Sequence, residues 1–443
     1  MVIKYTNDKT TTIYKTHNGK SYDNILIYGD EVELIGSEKN GRIPIKFRNR
    51  KGWINKNELS SNSCLEIYFI DVGQGDSTFI VTPKRKKILI DGGITDRAFR
   101  FLAWKYRLED VKTSNPIVID LLVLSHADSD HINGLIPVIS NSKIKIKKIV
   151  HNGLAIYNKG SYDEKLGNIK IHEGNKYIET HHDSLNELDD SKLTRTFKKW
   201  KNEIINDGET AYNAVDSTSE NLDIGDPSIK LEILGPKIDR LSSINKKYYR
   251  WFGDHGHTIN GHSVILLLTY KEVQILFSGD INIDGSKHIL EDKEIRKRLN
   301  AHVLKSPHHG SHEFHLPFLK SINPQISVIS SGDDVDHGHP RASFLGAIGS
   351  VSRNQPLIFS TEIGGNFIEM DEKLEKINLT KEEKKKMSPT TLRKLRLLFK
   401  RRLHGMINVR TDGNHIFAAR RVASSYMWES YGPIKPTAMN LNS

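Results

Sequence analysis

Four potential metal ligands fall within six residues in Ser125-His126-Ala127-Asp128-Ser129-Asp130-His131. Imidazoles and carboxylates together suit a divalent cation of the zinc or manganese kind. The run directly follows residues 118–124, a near-continuous apolar stretch of the sort that forms a buried strand. A tight loop there points alternate side chains into a cleft. His126 and Asp128 can take one cation, and Asp130 and His131 a second. Two cations about 3.5–4 Å apart can activate a shared water and clamp the attacking and leaving oxygens of a hydrolysis. The bland alternative is a polar surface loop, which four ligand-type side chains beside a buried strand argue against.

Further candidates stand at other strand ends. Asp280 in Ser278-Gly279-Asp280 follows a strand and a glycine, so its carboxylate can approach a metal closely. Pro307-His308-His309-Gly310-Ser311 offers two imidazoles, of which one is a ligand, with His309 favoured, and the other a substrate contact or proton donor. Gly73-Gln74-Gly75-Asp76 can present backbone N–H groups of Gly75 and Asp76 to an anion, or be simply a turn that needs positive φ. His257 and His262 are ligands, substrate contacts or neither. Arg341, at a helix start in Gly338-His339-Pro340-Arg341, is a phosphate contact or part of a purely structural cap.

The elements that must position these residues read as an α/β domain over 64–423, preceded by a small β-barrel over 1–60 and followed by a tail over 424–443. Brief apolar runs between Gly- and Asn-bearing turns fill the first 60 residues. Within the α/β domain, 152–260 is long, polar and poor in regular signals, and is expected to be an inserted lid with helices near 185–205. Residues 371–404 are a Lys- and Arg-rich helical insertion. A hairpin is expected around Asp412-Gly413.

Composition narrows the classes. The 443 residues carry a net charge of +11, and hydrophobic residues make up 37%. One cysteine, Cys64, excludes a disulfide framework and a Cys-rich zinc module. No apolar run approaches about 18 residues and no apolar signal core opens the chain, so a membrane span is not expected and the expected location is cytoplasmic. The charge is concentrated: residues 38–56 sum to +6 and residues 371–404 to +7, leaving the remainder slightly acidic. In the first block Phe47 and Trp53 interleave with the basic residues, which suits nucleic acid with stacked bases, while Trp53 also suits a core anchor. The second block reads as an amphipathic basic helix that docks on the core, binds nucleic acid or lies on a membrane surface, or as a solvated helix face.

The motifs together resemble the metallo-β-lactamase superfamily. The 126–131 run resembles its His-x-His/Asp-x-Asp-His signature, with Asp128 where zinc enzymes often have histidine, which moves the odds toward Mn²⁺. Phe69-Ile-Asp-Val-Gly-Gln-Gly-Asp-Ser77 resembles the hallmark of the ComEC-like branch. The resemblance implies a four-layer αββα sandwich holding two divalent metal ions (Zn²⁺ or Mn²⁺). It implies that Asp91 supports the ligand loop from behind, that Asp280 bridges both metals, and that a histidine of the 308–309 pair completes the second site. The branch reads Asn-x-x-Ser at Asn260 and Ser263 and requires no histidine there. Residues 51–59 resemble the last strand of bacterial Src-homology-3-like barrels.

The resulting expectation is a hydrolase, foremost a phosphodiesterase or nuclease acting on DNA. Asp130, Asp128 and His308 would carry catalysis, and Gly75, Asp76, Ser311 and Arg341 would contact substrate. Two alternatives stand beside it. One is a hydrolase of a small anionic diester or ester, with Tyr248, Tyr249, Trp251 and Phe252 walling a pocket under the lid. The other is a sensor that binds a protein partner through the N-terminal barrel and has a weak or gated metal site.

Overall fold

The computed structural model describes residues 2–47, 50–241, 246–332, 338–353, 356–362, 405–421 and 428–438. The basic segment 371–404 lies outside the described residues.

Two sheets stack face to face. The first has nine strands, with spatial order Ala211–Ala214, Lys148–His151, Leu121–Leu124, Lys87–Ile90, Thr78–Val81, Leu65–Phe69, Ile407–Thr411, Ile416–Arg421 and Trp428–Ile434. The second has six: Ile229–Gly235, Ile265–Tyr270, Val273–Phe277, Val303–Lys305, Ile326–Ile329 and Leu357–Ser360. Strand alternation sorts side chains between two cores. Leu121 and Val123 enter the core between the sheets, with Ile67, Phe69, Leu266, Ile275 and Val328. Leu122 and Leu124 point the other way, toward the helices Arg97–Tyr106 and Arg195–Asp207. Ile283–Leu290, Leu316–Ile322 and Ala342–Val351 cover the outer face of the second sheet around Phe318, Leu319 and Phe344. The result is a four-layer αββα sandwich in an α/β chain.

The parallel pairings decide where chemistry can sit. Lys87–Ile90 runs parallel to Leu121–Leu124, and Val273–Phe277 runs parallel to Val303–Lys305. Asp91, Ser125, Asp280 and the 307–311 turn leave the C-terminal ends of these strands, where side chains from several loops meet in a crevice.

The N-terminal residues form a separate seven-stranded antiparallel sheet, ordered Ser21–Ile27, Thr10–Tyr14, Arg50–Asn55, Arg42–Phe47, Glu31–Leu34, Val2–Thr6 and Leu59–Ser60. Ile13, Leu26, Val32, Ile45, Phe47 and Ile54 fill its own core. Trp53 is only half-buried, its ring 5.4 Å from that of His17. This sheet rests on the outer face of the nine-stranded sheet through Tyr28, stacked on Phe417 at 3.9 Å, and through Arg410, which donates to the Tyr28 carbonyl.

Two expectations change. Residues 152–260 are not a lid. Ala211–Ala214 extends the first sheet beside Lys148–His151, and Ile229–Gly235 pairs with Ile265–Tyr270 in the second. Phe197, Trp200 and Ile204 of the helix Arg195–Asp207 belong to the main core. Their i, i+3, i+7 spacing places three apolar groups on one face of a helix that is otherwise charged. Tyr248 and Tyr249 are buried, and the Tyr249 hydroxyl donates to the Asn152 carbonyl at 2.6 Å. Residues 424–443 are not simply a tail either, because Trp428–Ile434 adds an antiparallel edge strand to the first sheet. Gly432 and Pro433 interrupt its apolar pattern, so pairing rather than intrinsic propensity makes it a strand. The hairpin at Asp412-Gly413 is present.

Candidate metal centre

Asp91 is the pivot beneath the ligand loop. Its backbone has φ +56, uncommon for a residue with a side chain. Its carboxylate accepts from the Ser125 N–H at 2.7 Å, the Ser125 hydroxyl at 2.7 Å and His131 Nδ1 at 2.9 Å. These bonds turn His131 Nε2 toward Asp280, 3.3 Å away. The Ser263 hydroxyl accepts from the Asp280 N–H at 3.0 Å and donates to the Asn260 carbonyl at 2.8 Å, fixing the loop after Val273–Phe277.

The 307–311 turn supplies the opposite wall. His308 and His309 adopt φ of +44 and +53, two consecutive left-handed residues before Gly310. Such strain persists only where surroundings impose it, and here it turns both imidazoles inward. His309 is the one that reaches the cluster. Its Nδ1 donates to the Ser330 carbonyl at 3.0 Å, leaving Nε2 2.9 Å from Asp280 and 3.6 Å from Asp130. His308 stays at the mouth, its Nδ1 3.9 Å from Glu313.

Ligand-type atoms of His126, His131 and Asp280 lie within 4.8 Å of one another, as do those of Asp130, His131 and His309, and those of Asp76, Asp280 and His309. Nε2 of His126, His131 and His309 and Oδ1 of Asp280 are buried without hydrogen-bond partners among the described residues. Buried polar atoms are normally paired. Three orphaned imidazole nitrogens facing carboxylates are what a divalent cation would satisfy. Asp128 stands at the outer side, its nearest carboxylate oxygen 3.9 Å from His126 Nε2.

The electrostatics agree with a site awaiting positive charge. Burial and the neighbouring His131 hold His126 well below the usual histidine range. Burial also opposes charge on His131, but Asp280 and Asp91 outweigh it and raise its pKa. Burial and the charge of Asp130 push Asp128 up to about 7.

Other residues singled out from the sequence lie elsewhere. His257 is not in the cluster: it sits at the rim, bonded to Asp254 at 2.7 Å and Glu313 at 3.1 Å. His262 is buried among Tyr249, Phe252 and His288 and donates to the Arg250 carbonyl at 2.7 Å. Asp76 is not at the surface for substrate; it is buried against the Lys305 ammonium. Ser311 is buried and caps the Glu313 N–H. Arg341 is exposed, and only its backbone N–H reaches inward, to the Gly310 carbonyl. From the same segment His339 instead lines the cleft, with Gln74, Gly75, Asp130, His308, His309 and Gly332. Gly75 has φ +91, and a Cβ there would lie 1.7 Å from the Asp130 carbonyl oxygen, so only glycine lets the two loops meet.

Ser125, Lys305 and His339 are the groups that sequence reasoning missed. Lys305 ends an otherwise apolar buried strand, donates to the Gly279 carbonyl at 3.1 Å and lies 3.6 Å from Asp280. A lysine in such a strand was the available signal.

Residues 70–197 match the metallo-beta-lactamase superfamily model. Over those residues the chain resembles a metallo-β-lactamase superfamily domain, a fold that implies divalent metal ions. Among individual proteins, ComE operon protein 3 of Bacillus subtilis (strain 168) is 22% identical over 293 residues, which is 63% of this chain and 30% of that protein. The chain thus spans less than a third of that relative's length. Similar solved structures include a metallo-beta-lactamase from Cronobacter sakazakii (14% identity, TM-score 0.27, 54% of this chain and 75% of that one). Others are CmlA, a diiron beta-hydroxylase from Streptomyces venezuelae (11%, 0.31, 67% and 48%), and a long form RNase Z from yeast (12%, 0.29, 60% and 37%). Among the described residues no helix is long and apolar enough to cross a membrane.

Proposed function

We propose that the protein is a dimetal phosphodiesterase acting on DNA. The observation that carries the reading is the convergence of the orphaned Nε2 atoms of His126, His131 and His309 on Asp280. His126 and Asp128 would hold one cation, Asp130, His131 and His309 the second, and Asp280 would bridge them. When bound, the two cations would lower the pKa of a water and polarise the bond to be broken.

The chain's own residues do the rest. Asp91 and Ser125 hold His131 in register, and Ser263 holds Asp280. Asp130 and Asp128 orient the attacking water. His308 stands at the mouth to pass a proton to the leaving oxygen, with Glu313 beside its Nδ1. The cleft above the cluster is about 70 Å³, far below the roughly 300–1,000 Å³ that enclose a small ligand. So small a cleft favours a polymer lying across the site over a small diester enclosed in it. The ComEC-like motifs and the basic segment 38–56, beside a Src-homology-3-like N-terminal sheet, support DNA as that polymer.

The test is purified full-length protein loaded with Mn²⁺ or Zn²⁺ and given single- and double-stranded DNA beside small cyclic and phosphocholine-type diesters. Metal-dependent loss of DNA, reduced to background by Asp130→Ala, is expected. Intact DNA with a small diester consumed would overturn the choice of substrate, and full metal occupancy without turnover of any diester would overturn the activity.

A further inference from the structure

A second cleft, of about 600 Å³, opens where the N-terminal sheet meets the outer face of the nine-stranded sheet. Its volume falls within the range of small-molecule sites. Its floor comes from two paired strands. Asn408 lies opposite Tyr68 and Arg410 opposite Glu66, all on the face away from the inter-sheet core. Trp104 and Tyr106, from the helix Arg97–Tyr106, and Trp428, from the edge strand, line its sides.

Three features identify what it would take. The Asn408 side chain is 1% exposed, yet neither its amide nitrogen nor its amide oxygen has a partner among the described residues. Buried Arg410 Nε and the Tyr106 hydroxyl are orphaned beside it. These groups offer a planar donor-and-acceptor edge backed by further donors. Trp104 is 50% exposed although large and aromatic, an open face for stacking. The lining carries five carboxylates and five cationic side chains, so the cleft has no net charge to attract a phosphate backbone. A flat heteroaromatic ring with donor and acceptor on one edge fits all three: an amide pairs with such an edge, and indole stacks on its face.

The geometry points to a nucleobase-binding site in this cleft, which shares no lining residue with the cleft over the metal cluster, with Asn408 reading the base edge and Trp104 stacking on it. The base belongs either to a free nucleotide or to an unpaired residue of a strand. The site stands apart from the phosphodiesterase reading, because nucleoside monophosphates contain no diester to cleave.

Isothermal titration of the full chain with the four deoxynucleoside monophosphates tests it. A second arm compares a short single-stranded oligonucleotide with an abasic oligomer of equal length. Saturable binding of at least one monophosphate, or of the oligonucleotide over its abasic counterpart, is expected, and which arm responds tells the free base from the strand. Trp104→Ala and Asn408→Leu should each weaken it about tenfold or more, while Asp130→Ala leaves it unchanged. Asn408→Leu should also leave the melting temperature the same or higher, since it removes an orphaned buried amide. Absence of saturable binding by folded wild-type protein would overturn the site. So would binding unaffected by both cleft substitutions, or binding lost in Asp130→Ala. A clear drop in melting temperature for Asn408→Leu would make the amide structural and overturn its assigned role.

Discussion

Two buried polar clusters flank the same nine-stranded sheet, and they are built oppositely. Around Glu66 each carboxylate has a cation. Arg85 meets Glu66 and Glu31 at 2.8 Å, Lys105 meets Glu66 at 3.3 Å, and Arg410 meets Asp30 at 3.0 Å. Tyr68 donates to Glu66 and receives a bond from Lys105 at 2.7 Å. At the strand ends His126, His131, His309 and Asp280 leave ligand atoms unmatched. In the first cluster the chain itself pairs the charges, which joins the N-terminal sheet to the sandwich, while groups such as the Asn408 amide are left open beside them. The second is left open, and an open buried cluster of this composition calls for a ligand from outside. The contrast separates a structural from a chemical use of the same residue types.

The comparison can be broken at either side. The largest effect is expected from Arg410→Met, which takes the buried cation from Asp30 and weakens the hold on Glu66. Breaking such a buried pair costs about 3–5 kcal/mol, read as a lowered urea midpoint, with metal content per folded molecule unchanged. Next comes acid. Burial alone would raise the Glu66 pKa, but Lys105, Arg410 and Arg85 outweigh it and hold it at about 2, below its ordinary value of 4.5. A depressed folded pKa stabilises the fold above the unfolded value and loses that contribution as pH falls from about 4.5 to about 2. The loss should be on the order of 3 kcal/mol, and Glu66→Gln should flatten the dependence in pH-resolved denaturation.

At the open cluster the expected effects are smaller in stability and larger in function. A divalent cation at about 100 times its dissociation constant should stabilise the fold by about 2.7 kcal/mol. Thermal melts with and without chelator would show it, and Asp280→Ala should remove most of the difference. The smallest effect is expected from Ser125→Ala. Losing the hydroxyl that Asp91 orients should weaken metal binding about 10- to 100-fold, measured by competition with a chelating dye, with little change in the metal-free melt.

Much of this arrangement was legible in the sequence because the ligand-type residues are contiguous and each group ends an apolar strand. Those strands also announced an α/β domain, while the four-layer sandwich came from the resemblance that the motifs carry. Ser125, Lys305 and His339 were not legible as site residues, since a serine, a lysine and a rim histidine acquire meaning only from what folds against them. Asp76 misled for the same reason: its turn looked exposed, while Lys305, remote in sequence, buries it. The edge strands Ala211–Ala214 and Trp428–Ile434 carry weak local patterns and exist through pairing. The supposed lid hid core residues because a charged helix face outnumbers the three apolar positions that Phe197, Trp200 and Ile204 contribute.

The central claim is that the open cluster is a two-cation site that cleaves phosphodiesters. The most direct measurement titrates Mn²⁺ into chelator-treated full-length protein by calorimetry and assays DNA cleavage at each point. Two equivalents bound per chain, with cleavage rising as the second binds and both lost in Asp280→Ala, is the predicted result. Failure to bind metal, or two equivalents bound with DNA left intact throughout, would contradict it.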